Sequence, residues 1–223
     1  MDGIMKNVIV IVILLLSSAV GAQVSVNGGA SMLVGFSNPG PWGGVHVGLE
    51  IPRDDAVSFY GRFTHHFRNS GDSIPAFLEA KDPTNPIPPV SIGSVPRMDY
   101  NIIEGGTRYY LGNGFDYGFA AYGGSCIMLV FNSVKGKYDD YDESLYQLNE
   151  FSRYKTTFFS LGFGLGGGVK YSTGRLGTFY FDLNLAYMIF AQSSNESIPN
   201  EVGDMYNPLI FNFNLGWRKD IFR

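Results

Sequence analysis

Apolar and polar residues alternate one by one through most of the chain after residue 22. Val45, Val47 and Leu49, for example, are separated by His46 and Gly48, and the same period of two returns in eight segments. Alternation of this kind is typical of β-strands that have one apolar and one polar face. The eight segments are 24–36, 45–51, 57–64, 98–111, 117–131, 159–171, 178–189 and 209–218.

The connections between these segments fall into two kinds. Short turns are predicted at 52–55, 112–116 and 172–174, whereas long polar loops are predicted at 69–97, 132–153 and 191–205. The first long loop holds six prolines, and we therefore expect it not to pair regularly. Turns at one end and loops at the other indicate an antiparallel up-and-down sheet, as in outer-membrane barrels.

The identity of the polar set distinguishes a membrane barrel from a soluble, lipocalin-like one. A water-exposed wall needs charged residues, but here the polar positions are mainly Gly, Ser, Thr, Asn and Tyr, including Gly162, Gly164, Gly166 and Gly168. Small residues suit the crowded interior of a narrow barrel, and the large apolar set suits lipid. Aromatic residues at the strand ends are expected to form the two interfacial girdles: Phe36, Trp42, Phe67, Tyr109, Tyr171, Phe179, Tyr187, Tyr206 and Trp217.

The first 22 residues have the pattern of a targeting sequence. Lys6 precedes an apolar run that is too short to span a membrane as a helix, and small residues lie before position 23. We expect residues 1–22 to be a cleaved signal peptide and residues 23–223 to be one outer-membrane β-barrel domain. An uncleaved amphipathic anchor is the alternative.

Composition narrows the chemistry further. The chain has 223 residues, a net charge of −4 and 16% charged residues, which argues against nucleic acid as a partner. Its one cysteine, Cys126, cannot form an internal disulfide and is expected to pack as a small hydrophobic residue. No motif indicates a cofactor.

The mature chain resembles the small outer-membrane β-barrel superfamily of OmpA/OmpX-like proteins in its eight-stranded form. The resemblance rests on the alternation, on the segment EGGTRYYLG at 104–112 and on the aromatic last strand. It implies location in the cell outer membrane, contact with outer-membrane lipid and lipopolysaccharide, and assembly by the barrel-insertion machinery. Phe222 is penultimate where the family has a final aromatic residue, and we expect no peptidoglycan-binding domain.

Seven charged residues fall on the polar face of the predicted strands. With eight strands the interior holds side chains and no wide channel, so these charges are expected to pair as a polar plug. Arg62 and Glu104 should be near neighbours. A narrow gated pore or a proton path is the functional alternative. The seven residues are Glu50, Arg62, Glu104, Arg108, Lys170, Asp182 and Arg218.

Two weaker patterns suggest other chemistry. His65 and His66 with Ser70 resemble part of the histidine and serine arrangement of lipid A deacylases, although the spacing differs; an interfacial histidine pair facing headgroups is the structural alternative. The other pattern is a cluster of acidic residues in the second long loop, which could bind a divalent cation or simply be solvated. This cluster is Asp139, Asp140, Asp142 and Glu143.

Taken together, these patterns predict a non-enzymatic, integral outer-membrane β-barrel that acts structurally or through its extracellular loops. Possible protein partners are expected at loops 69–97, 132–153 and 191–205. Two alternatives remain open at this point: a lipid-modifying enzyme of the lipid A deacylase type, and a narrow, porin-like pore or accessory subunit of a secretion or motility assembly.

Overall fold

The computed structural model describes residues 23–35, 40–82, 84, 88–149, 152–153, 155–194 and 208–222. The predicted signal peptide, Phe36, Tyr206 and most of the third long loop lie outside these ranges. Within them, no helix has the length and apolar character needed to cross a membrane.

Ten strands account for most of the described residues. Their inward and outward positions follow the alternation found in the sequence. The strands are β1 (Val24–Gly35), β2 (Trp42–Pro52), β3 (Val57–Ser70), β4 (Ile74–Ala80), β5 (Val90–Tyr110), β6 (Gly118–Tyr138), β7 (Tyr146–Leu148), β8 (Lys155–Ser172), β9 (Thr178–Ser193) and β10 (Leu209–Phe222).

Eight of these strands form a closed ring. Every neighbouring pair in the ring is antiparallel, and the ring is completed by β1 with β10 and by β3 with β5. The predicted eight-stranded, up-and-down antiparallel barrel is therefore confirmed. Closure matters because it leaves no unpaired edge along the barrel wall.

The outer wall is apolar, whereas the inner wall carries small and polar side chains together with a group of large apolar ones. Large aliphatic and aromatic side chains are about half exposed all round the barrel, and we call this surface the apolar belt. A belt of this kind is typical of membrane barrels. Members from each strand include Met32, Val47, Phe63, Ile103, Ile127, Phe163, Phe181 and Leu215.

The predicted position of one aromatic residue is wrong. Trp42 does not belong to an aromatic girdle: its side chain is fully buried inside the barrel and donates a hydrogen bond to the carbonyl oxygen of Met98. The parity of β2 explains this, since the outward positions of that strand are odd-numbered. The other described girdle candidates are exposed: Phe67, Tyr109, Tyr171, Phe179, Tyr187 and Trp217.

The first two long loops are also more regular than predicted. β3, β5 and β6 continue beyond the apolar belt, and β4 pairs with β5 on one side and with β7 on the other. We call β4, β7 and these outer strand ends the extension. Pro75 is tolerated because β7 pairs only with the far end of β4, and Pro96 because it lies between the end of β3 and the start of β4.

Candidate functional site

Inward charges from three strands meet near the middle of the barrel. Arg62 on β3 forms an ion pair with Glu104, its direct register partner on β5. Its guanidinium also reaches across the lumen to Asp182 on β9, at 3.2 Å. All three side chains are almost completely buried. A buried charge is costly unless it is paired, and Arg62 has two partners.

A second set of pairs continues toward the turn end. Arg108 lies 2.7 Å from Glu50 and 2.8 Å from Asp182, so Asp182 joins the two sets. Arg218 approaches Glu50 at 3.3 Å. Glu50 also accepts hydrogen bonds from the hydroxyl groups of Ser58 and Tyr110. Six of the seven predicted residues thus form one connected cluster, which we call the charge network.

Lys170 is the predicted residue that the structure keeps apart. Its ammonium group donates to the carbonyl oxygens of Phe115 and Tyr117 and to the hydroxyl of Ser172, at 2.9, 3.3 and 3.1 Å. Among the described residues it makes no ion pair. Lys170 therefore anchors backbone at the turn end of the barrel instead of neutralising a carboxylate.

Phe115 closes the barrel at this end, and sequence reasoning missed it. The side chain is buried although it belongs to the turn that follows β5. The Arg218 guanidinium lies 3.7 Å from the Phe115 ring centre and also donates to the Phe115 carbonyl oxygen at 2.8 Å. Tyr110 meets the ring edge-on. An apolar residue in a polar turn was the available signal.

Tyrosine rings pack around the charge network, and glycines leave them room. The Arg108 guanidinium lies 4.3 Å from the ring centre of Tyr60 and 5.1 Å from that of Tyr122. A Cβ atom on Gly168 would lie 2.7 Å from the Tyr122 ring. The inward glycines of β8 therefore accommodate large side chains from facing strands, which is the packing expected inside a narrow barrel.

Uncharged inward residues extend the network toward the loops. His46 shares hydrogen bonds with the hydroxyl groups of Ser31 and Tyr180, at 2.7 and 2.6 Å. Asn214 donates to Asp182 at 2.7 Å and accepts from Ser31 at 2.6 Å. The alternation places all of them inward, but nothing in the sequence indicates which of them touch.

A layer of large apolar side chains fills much of the loop half of the lumen, which the sequence analysis did not predict. Fully buried polar side chains interrupt this layer, among them His66, Asn132 and Asn212. We call the large apolar side chains of this region the apolar layer. It consists of Leu33, Trp42, Met98, Tyr100, Ile102, Met128, Val130, Val134, Phe158, Met188 and Ile210.

The histidine and serine pattern does not assemble a hydrolase site. His66 is fully buried in the lumen with Asn212 beside it, whereas Ser70 is exposed at the end of β3 beyond a bulge. His65 faces outward and shares a hydrogen bond with Asn101 at 2.8 Å. The expectation that both histidines face headgroups is therefore wrong for His66, because neighbours in a strand face opposite sides.

The acidic loop does not form a metal centre in the described part of the chain. No three of its carboxylates come together with the geometry of a cation site. Asp142 instead accepts hydrogen bonds from the hydroxyl and backbone nitrogen of Ser144, at 2.5 and 2.8 Å. These bonds lower the pKa of the Asp142 carboxyl below its ordinary value.

Comparison with known proteins identifies the fold. Neither a protein-family model nor a curated protein matches the chain. Among solved structures, Neisserial surface protein A is 15% identical with a TM-score of 0.52, covering 89% of this chain and 97% of that one. A major outer membrane protein from Thermus thermophilus is 12% identical with a TM-score of 0.51, covering 89% and 100%. This chain therefore has the fold of the small outer-membrane β-barrel proteins.

Proposed function

We propose that the protein is an integral, non-enzymatic β-barrel of the cell outer membrane that works by binding through its extension. The barrel is the anchor in this proposal, and the extension, on the side of the long loops, faces outward from the cell. The observation that carries the proposal is the extension itself, which continues beyond the apolar belt as a paired sheet.

The apolar belt supports the membrane location. It is continuous around a closed ring, and a soluble protein of this size rarely exposes so large an apolar surface. Lipid is the solvent that such a surface fits. The barrel-insertion machinery and outer-membrane lipid, including lipopolysaccharide, are the partners that this location brings with it.

The filled lumen supports anchoring over transport. Fixed ion pairs occupy the middle, Phe115 closes the turn end and the apolar layer occupies the loop half. Such an interior rigidifies the barrel. A narrow pore is less favoured because ions would have to pass the apolar layer, and a lipid hydrolase is less favoured because His66 and Ser70 lie on different sides of the wall.

The extension has the features of a binding surface. Phe77 on β4 is 54% exposed while the adjacent Leu78 is buried, so one face of the extension is packed and the other is free. Val90 on β5 and Leu145 before β7 are also exposed. Exposed aromatic and aliphatic residues on a rigid sheet are common at protein interfaces.

Site-specific photo-crosslinking in intact cells tests the proposal. A benzophenone amino acid at Phe77 should give a discrete higher-mass product with a native envelope partner. The same probe at Leu176, which is 67% exposed on a turn at the opposite end, should not. Equal labelling at both positions, or a steady conductance step from the purified protein in a planar bilayer, would contradict the proposal.

A further inference from the structure

Three cationic residues stand side by side on the outer face of the barrel, above the apolar belt. Lys135 on β6 is the direct register partner of Arg97 on β5 and of Lys155 on β8. We call these three residues the cationic row. Lys137 follows two positions further along β6 on the same face. Like charges placed directly opposite each other in a sheet are destabilising, so the arrangement needs a counter-charge.

The described part of the chain does not supply that counter-charge. None of its ion pairs includes a member of the cationic row. Asp99 lies two positions below Arg97 on β5, and its carboxylate is already bonded to Arg68 at 2.7 Å and to the Ser133 nitrogen at 3.2 Å. Lys135 and Lys155 are exposed, so their ammonium groups are available to a ligand.

Two further rows lie between the cations and the membrane. Ser133 and Thr157 are register partners, and below them Phe131 is the partner of Phe159. The two phenylalanine rings lie 5.2 Å apart, centre to centre, and Phe190 extends the cluster at 6.4 Å. From the belt outward, one patch of wall thus presents aromatic rings, then hydroxyl groups, then cations.

This order matches the parts of an anionic glycolipid of the outer leaflet. Acyl chains would pack on the phenylalanines, sugar hydroxyls would meet Ser133 and Thr157, and phosphates would meet the cations. The row crosses three strands and therefore spans about 10 Å, enough to contact two phosphate groups. A glycerophospholipid with one phosphate would leave part of the row unpaired.

We propose that this patch is a binding site for a bisphosphorylated glycolipid of the lipid A type. The proposal rests on the membrane location proposed above, and the cationic row supplies its specificity. Because these side chains face outward, losing their charge leaves the lumen and the charge network unchanged.

The test is direct binding of bisphosphorylated lipid A to the refolded, detergent-solubilised protein, measured by native mass spectrometry. The double variant Lys135→Gln, Lys155→Gln should bind about tenfold more weakly, because two charge-assisted phosphate contacts are lost. The control Arg175→Gln, Lys219→Gln makes the same charge change at the turn end, where both side chains are exposed, and should bind as the unchanged protein does. The charge-conserving double variant Lys135→Arg, Lys155→Arg should bind lipid A as the unchanged protein does.

A second lipid distinguishes a specific site from general attraction of anionic lipid to the wall. Phosphatidylglycerol should bind more weakly than lipid A, and its binding should not depend on the row. Unchanged lipid A binding by the Gln double variant, or equal competition by phosphatidylglycerol, would overturn the proposal. Outer-membrane fractionation of the unchanged protein is scored separately, so a failure of the membrane location is distinguished from a failure of the site.

Discussion

At the scale of single residues, Asp182 is the member of the charge network that joins its two sets of ion pairs. Its carboxylate is held by Arg62 and Arg108 and by the side-chain amide of Asn214. It comes from β9, whereas the two arginines come from β3 and β5. A carboxylate shared in this way joins opposite walls of the barrel, which a pair between adjacent strands cannot do.

The Arg62 and Glu104 pair provides the first prediction. Glu104→Gln alone should destabilise the barrel by about 3–5 kcal/mol, because it leaves Arg62 with less compensation in a buried interior. Arg62→Met together with Glu104→Gln should recover much of this loss, since Asp182 keeps Arg108 and Asn214. Urea titration of the refolded proteins measures the coupling. Single effects that add within about 0.5 kcal/mol would show that the pair is not coupled.

Glycine packing in β8 provides the second prediction. A methyl group on Gly168 would meet the Tyr122 ring and the backbone oxygen of Phe181, so Gly168→Ala should destabilise the barrel by about 1–3 kcal/mol. Gly61→Ala is the matched control: it lies on the outer face of β3, and its nearest atom would be 4.0 Å away. Equal urea midpoints for the two variants would contradict the close packing inside the barrel.

At the scale of elements, the turn between β2 and β3 is organised by one carboxylate. Asp54 accepts hydrogen bonds from the backbone nitrogens of Ala56 and Val57, at 2.9 and 2.8 Å. These bonds lower the pKa of Asp54 below its ordinary value, and the bond from Ala56 contributes most. A lowered pKa in the folded state means that the ionised carboxylate stabilises the fold, and this contribution disappears as the pH falls through that pKa.

Asp54→Ala should therefore lower the urea midpoint at pH 7, and the difference from the unchanged protein should shrink below about pH 4. Asp55→Ala, at an adjacent carboxylate whose side chain makes no hydrogen bond to a described residue, should have a smaller effect at both pH values. Unfolding curves in urea at pH 7 and pH 3 check this. A difference that persists unchanged at pH 3 would rule out the carboxylate as its cause.

The cost of introducing a charged residue into a wall strand should depend on whether that residue faces the lipid or the lumen. Leu183 lies in the middle of β9 on the outer face, so Leu183→Arg should cost about 2–4 kcal/mol in a refolded membrane barrel. Leu176→Arg, on an exposed turn, is the control and should cost little. Folding into lipid vesicles, followed by the gel mobility of unheated samples, gives the measurement. Unimpaired folding of Leu183→Arg would contradict the lipid-facing assignment.

At the scale of the whole molecule, the two ends of the barrel predict its orientation. A protease-cleavable tag placed in residues 83–89 should be cut on intact cells. A tag at Gly174 should not be cut: this turn lies at the opposite end, and Gly174 has a φ of 69° with open space around it, so it tolerates an insertion. Gly112–Gly114 is a poorer site because it adjoins the buried Phe115. Equal cleavage at both tags would contradict the orientation.

Much of the fold could be predicted because each prediction depended on neighbours in sequence. The inward positions of Glu50, Arg62 and Asp182 follow from period-two alternation within one strand. The alternation did not predict the strands within the loops, however. The segment 69–97 contains β4 and the first part of β5 although it is rich in proline. A proline does not prevent pairing where a strand has no neighbour on one side. Whether a strand has such a neighbour depends on residues that are distant in the sequence.

The sequence by itself determined the class of fold, the face on which most strand residues lie and the set of charges that must share the interior. It did so because side-chain direction in a strand is fixed by parity. The tertiary structure alone decided that Arg62 reaches Asp182, that Lys170 binds backbone beside Phe115, and that Arg97, Lys135 and Lys155 stand in one row. These contacts depend on strand register and barrel closure, which bring together residues from distant parts of the chain.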